Sequence, residues 1–163
     1  MIILVMGVVG AGKTTIGSLL AQQLGSEFVD ADSFHSAENV EKIRQGIALS
    51  DADRGPWLRA IRDAILKWIA ERRNVVLACS ALKKSYREEL VVGPEVKLVY
   101  LKGSRDLIFS RLRARHGHFA SEKLLASQIE TLEEPEDAVS VDVSSAPEQI
   151  VTEIRAKLKL KLK

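Results

Sequence analysis

Lys13 and Thr14 close the run Gly7-Val8-Val9-Gly10-Ala11-Gly12-Lys13-Thr14-Thr15, which matches G-x-x-x-x-G-K-[ST]. That spacing suits the gripping of a polyphosphate. Glycines let the backbone wrap closely around phosphate oxygens, and the helix that this run opens offers free N–H groups and a partial positive charge. Gly7, Val8, Val9, Gly10, Ala11, Gly12 and Thr15 are expected to contribute through the backbone. Lys13 reaches the β- and γ-phosphates of ATP and takes part in catalysis, and the Thr14 hydroxyl holds Mg²⁺.

A phosphate loop alone does not separate a kinase from a GTPase or a mechanical ATPase. The sequence contains no Asn-Lys-x-Asp guanine reader, and the apolar run Val75 to Cys79 leads into Ser80 rather than an Asp-Glu pair. Hydrolysis thus lacks its usual acid, which favours transfer to a bound acceptor. Asp30 and Asp32 stand at alternate positions beyond the short run Glu27 to Val29, where open α/β sheets bind ligands. Asp30 is expected to orient the Mg²⁺ hydration shell, and Asp32 to accept the proton of the attacking hydroxyl.

Arg111 and Arg115 lie one helical turn apart before Gly117. They suit a mobile lid over about residues 111–125, with Arg115 clamping the transferring phosphoryl group and Arg111 against the adenine.

These residues must be carried by strands and helices in alternation. Ile2 to Met6, Glu27 to Val29, Val75 to Cys79, Val96 to Leu101 and Val139 to Val143 read as strands, each followed by a segment of helical period. The unbroken apolar character of the first and third suits strands buried on both faces. The fold class is therefore α/β: five parallel strands flanked by helices in three layers, as one domain over residues 1–163. Pro56 is expected in a first helical turn, and Ser145-Ala146-Pro147-Glu148 as a capping box.

With 24 basic against 22 acidic side chains, the chain is not charged as a nucleic-acid binder. No apolar stretch reaches the roughly 20 residues that span a bilayer, so no membrane association is expected. Cys79 is the only cysteine. It excludes an internal disulfide, agrees with a cytoplasmic location, and reads as a buried strand-end residue rather than a redox centre.

Five ordered blocks carry a family resemblance. The phosphate loop is followed by Asp30-Ala31-Asp32-Ser33-Phe34-His35 with Asn39, and then by Gly46-Ile47-Ala48-Leu49-Ser50-Asp51-Ala52-Asp53-Arg54-Gly55-Pro56-Trp57-Leu58. Next come Cys79-Ser80-Ala81-Leu82-Lys83-Lys84-Ser85-Tyr86-Arg87 and a late segment from Gly117-His118-Phe119 through Ser127-Gln128 to Leu132-Glu133-Glu134-Pro135. Together they resemble the gluconate kinase family from Gly7 to about Pro135.

The resemblance implies ATP- and Mg²⁺-dependent phosphorylation of D-gluconate to 6-phosphogluconate by a homodimer, on a P-loop kinase fold similar to that of shikimate kinases. It makes Arg54, Lys83 and Arg87 candidates for gluconate contacts, with Asp53 orienting Arg54. His35 is a candidate for a contact to a substrate hydroxyl, and Asp32 and His118 are candidates for substrate binding beside it. Two positions depart from the family pattern: Val9 stands where serine is usual, and Ala120 where methionine is common. Phosphorylation of another hydroxy acid, such as shikimate, and a non-catalytic nucleotide switch are the competing readings.

Overall fold

Ile2–Met6 is apolar at every position and buried throughout, a demand that a strand meets only with neighbours on both edges and helices on both faces. In the computed structural model, which describes residues 1–116 and 119–161, this strand is the centre of the sheet. The chain runs β1 (Ile2–Met6), α1 (Lys13–Leu24), β2 (Glu27–Asp30), a 3₁₀ turn (Ala31–Phe34), α2 (Ala37–Arg44) and α3 (Asp51–Ala70). It continues β3 (Val75–Ala78), α4 (Lys84–Leu90), β4 (Val96–Lys102), α5 (Arg105–His116), α6 (Phe119–Thr131), β5 (Val139–Asp142) and α7 (Pro147–Lys157). The sheet order is β2-β3-β1-β4-β5 and every pairing is parallel. The five expected strands are all present, and the fold is α/β.

The pleat of β1 divides the core in two. Ile3 and Val5 pack with Ile16 and Leu20 of α1 and Ile150 and Ile154 of α7. Ile2, Leu4 and Met6 point the other way, onto Trp57, Ile61 and Ile65 of α3 and Leu90 of α4. Alternation along one strand thus fixes three layers. The helix after β1 lies on one face and the helix after β3 on the other. The adjacent strands β1 and β3 therefore form a topological switch point, and a crevice opens at their carboxyl ends.

Two local expectations are corrected. Helix α3 starts well before Pro56: Ser50 is its N-cap, the Ser50 hydroxyl accepts from Asp53 N–H at 3.1 Å, and Asp53 Oδ2 accepts from Ser50 N–H at 3.0 Å. This reciprocal box overrides the proline, which sits inside the helix and forgoes a bond to the carbonyl one turn back. Helix α7 is entered through Ala146, with Pro147 at its first turn and no side-chain cap, so Ser145 does not form the expected box.

Candidate active site

Residues 7–12 bridge β1 and α1 at the crevice. Gly10 and Gly12 take left-handed backbone angles, φ 80° and 98°, which residues with a Cβ adopt at a cost. A Cβ on Gly10 would also fall 2.6 Å from Leu112 Cγ of α5, so the loop and that helix approach too closely for any other residue. Gly12 caps α1 without a side chain, which leaves the first-turn N–H groups to an anion.

Lys13 Nζ donates to Val8 O at 3.0 Å, folding back across the loop. Burial lowers its pKa, and the nearby Asp32 carboxylate opposes that shift. Thr14 Oγ1 donates to Asp30 Oδ2 at 3.5 Å, while Asp30 Oδ1 accepts from Asp32 N–H at 2.9 Å. A hydroxyl beside a carboxylate is a hard oxygen pair of the kind Mg²⁺ takes when phosphates and water complete its shell. Among the described residues, no cluster of three or more His, Cys, Asp or Glu forms an all-protein metal cage.

A cavity of about 340 Å³ is lined at once by Lys13, Thr14, Asp30, Asp32, His35 and Arg54. Asp32 projects into it with 80% of its side-chain surface exposed. The cavity walls and then the charge of Asp30 raise its pKa, while His35 and Lys13 oppose them. Solvent at the exposed face screens part of this effect. His35 is only 4% exposed in its side chain and stacks on Trp57 with ring centroids 4.4 Å apart. Its Nε2 stands 4.0 Å from Asp32 Oδ1, and burial lowers its pKa despite that carboxylate. Trp57 is itself fixed by an indole N–H bond to Ala31 O at 2.8 Å.

A second cavity, of about 350 Å³, is lined by Gly12, Thr15, Arg111, Arg115, Pro147 and Ile150. Arg115 lines both cavities and Arg111 only the second. Helix α6 also reaches the loop: Gln128 Oε1 accepts from Val9 N–H at 2.6 Å. This contact joins residues 119 positions apart, and only proximity in the fold reveals it.

The three cations expected at the acceptor are not equivalent. Arg54 lines the first cavity, but Asp53 does not orient it: Asp53 closes the α3 cap and pairs with Lys42 at 3.0 Å, and these bonds lower its carboxyl to about 2. Lys83 pairs with Asp51 at 2.9 Å and is absent from the cavity wall. Arg87 is corrected outright. It is buried, it is absent from the cavity wall, and its guanidinium donates to Ala81 O, Leu82 O and Glu133 O at 2.9, 2.9 and 2.7 Å. These bonds hold the turn in which Ala81 adopts φ 44°. Arg87→Met is therefore expected to lower unfolding stability by about 3 kcal/mol, since three carbonyls lose a charged donor. A urea unfolding midpoint that scarcely moves would make Arg87 a candidate substrate contact once more.

Cys79 is buried, and burial pushes its thiol up to about 12, which leaves it an inert packing residue. His118 lies outside the described residues, as does Gly117 within the expected lid.

The shikimate kinase family model matches residues 9–159. A probable gluconokinase of Mus musculus is 42% identical over 179 residues, covering 97% of each chain. The solved gluconokinase from Sinorhizobium meliloti 1021 superposes with a TM-score of 0.87 at 42% identity, over 96% of this chain and 90% of that one. A shikimate kinase from Aquifex aeolicus superposes with a TM-score of 0.61 at 19% identity, over 98% and 96% of the two chains, which is a likeness of fold alone.

Proposed function

The chain belongs to the gluconate kinase family of P-loop small-molecule kinases, and on that premise we propose that it phosphorylates D-gluconate to 6-phospho-D-gluconate with ATP and Mg²⁺. One observation supports this reading above the others: a single cavity is lined by the phosphate-loop Lys13, the carboxylate of Asp32 and the guanidinium-bearing Arg54. A polyhydroxy carboxylate needs a cation for its anionic end and a base beside its reacting hydroxyl.

In this reading Arg54 takes the carboxylate, with the planar donor fork that suits it. Asp32 orients the hydroxyl. Its oxygen bonds to the γ-phosphorus, the bond to the β–γ bridging oxygen breaks, ADP leaves with that electron pair, and the hydroxyl proton passes to a carboxylate oxygen of Asp32. Lys13 and the loop N–H groups stabilise charge on the transferring phosphoryl group. Thr14 Oγ1 and, through water, Asp30 would hold Mg²⁺, which when bound neutralises charge on the phosphate oxygens. His35, rigid on Trp57, lies beside Asp32 and can contact a substrate hydroxyl. In the same reading Arg111 and Arg115 of α5 serve the nucleotide, and we assign about residues 111–125 the role of a lid, with Arg115 as its clamp.

The Aquifex aeolicus shikimate kinase shares the fold at 19% identity, whereas the Sinorhizobium meliloti gluconokinase shares it at 42%. A coupled ADP-release assay with ATP and Mg²⁺ is expected to show turnover with gluconate far above that with shikimate. Absence of gluconate turnover alongside phosphorylation of another hydroxy acid would overturn the assignment.

A further inference from the structure

Arg54, Lys13 and Arg115 are the Lys and Arg residues of the cavity wall among the described residues, and Arg54 is the one outside the phosphate loop and the α5–α6 pair. The charge available to an acceptor carboxylate is thus concentrated in one guanidinium on the first turns of α3. What holds that guanidinium decides how well an anionic acceptor is read.

Its neighbour is Tyr86 of α4. The Arg54 Cζ lies 5.7 Å from the centre of the Tyr86 ring, and Arg54 Nη1 stands 3.4 Å from the phenol oxygen. At that length the hydrogen bond is weak by itself, so the ring face shares the task. The direction of the chain follows from donor arithmetic. Tyr86 Oη makes a short bond to Asp51 Oδ1, and a carboxylate can only accept, so the single phenolic proton is committed to Asp51. The phenol lone pair is thereby left to accept from Arg54. Lys83 Nζ donates to both Asp51 oxygens, at 2.9 Å to the Oδ1 that also accepts from Tyr86 and at 3.2 Å to Oδ2, and lies 5.6 Å from the same ring. Tyr86 is buried at 7% exposure, so this device rests on a fixed ring.

We propose that Tyr86 is a positioning residue for acceptor recognition, which with Asp51 and Lys83 aims the Arg54 guanidinium into the cavity. This gives Lys83 a part in substrate recognition without contact: it acts through Asp51 and Tyr86, three contacts from the arginine. The chain also ties α3 to α4, so two segments far apart in sequence set one substrate contact.

The inference rests on the gluconate reading for the identity of the acceptor, and a double-mutant cycle separates the two. Tyr86→Phe keeps the ring and removes both hydroxyl bonds. It is expected to raise KM for gluconate roughly five- to tenfold, the worth of about one ordinary hydrogen bond, while kcat and KM for ATP stay within about twofold. In an Arg54→Met background the same substitution is expected to have almost no further effect, because its route to the acceptor is gone. Equal effects in both backgrounds, or a parallel rise in KM for ATP, would show that Tyr86 merely supports the fold and would overturn the inference. Should wild-type protein ignore gluconate and phosphorylate another hydroxy acid, the gluconate reading falls, and the cycle run on that acid decides the role of Tyr86 by the same two outcomes.

Discussion

Asp32→Asn is expected to lower kcat by roughly 10² to 10⁴, the usual contribution of a general base, with KM for ATP and for gluconate changed little. The structure gives this residue freedom that its neighbour lacks. Asp30 is occupied on both oxygens, by Thr14 Oγ1 and by Asp32 N–H. No hydrogen bond among the described residues reaches the Asp32 carboxylate, which is 80% exposed to the cavity. The substitution keeps size and removes basicity.

Two further readouts carry a sign. Asp32 has a folded-state pKa held above its ordinary value, first by the cavity walls and then by Asp30. A base works when deprotonated, so wild-type kcat should rise with pH through a value above the ordinary aspartate range, and that limb should vanish in the variant. For stability, a carboxyl raised on folding binds more protons in the native state than in the unfolded one. The native state therefore loses stability as pH rises from the unfolded value through the folded one. At neutral pH the ionised Asp32 opposes folding, so Asp32→Asn should melt no lower than wild type. Near-normal turnover would move the base elsewhere, and a fall in Tm alongside lost activity would make the defect one of folding.

The parts of the site that are legible in sequence are those built from local chain. The loop from Gly7 to Thr15 needs only its own glycines and the strand and helix on either side. Asp30 and Asp32 need only the end of one short strand. The Ser50-x-x-Asp53 box is equally local, yet Pro56 masks it by suggesting a later helix start, and Asp53 then looks free to serve Arg54 rather than its own helix cap. Arg87 is not legible. Its direction depends on Ala81 turning into the left-handed region and on a carbonyl at Glu133, 46 residues later. Lys83 shares a block with Arg87 and carries the same charge, but it faces Asp51, 32 residues earlier. Two cations that look interchangeable in sequence thus serve a buried turn and a surface relay, because Lys83 at the N-cap of α4 and Arg87 within it meet different neighbours. The Gln128 contact to Val9 N–H has no local signal, since glutamine on an amphipathic helix is ordinary.

Lys13→Met is expected to lower kcat by roughly 10² to 10³, the loss seen when one preorganised donor to transition-state charge is removed, and ATP affinity by less. The ammonium is already at the loop, resting on Val8 O at 3.0 Å, so the wild-type residue needs little reorganisation to serve the phosphates. Burial holds its pKa below the ordinary lysine value. A lysine depressed on folding binds fewer protons in the native state, so the charged form opposes folding below the unfolded pKa and the native state gains as pH rises. At neutral pH the apolar methionine should leave Tm unchanged or raised. The two substitutions are also linked through charge. Lys13 is one of the groups holding the Asp32 pKa down against its surroundings. Removing that charge should therefore move the acid limb of the residual kcat profile to higher pH, which loss of a phosphate contact alone would not do. An unshifted limb with the expected loss of rate would uncouple the lysine from the base. A shifted limb would tie phosphate stabilisation and proton acceptance to one electrostatic unit at the mouth of the β1–β3 crevice.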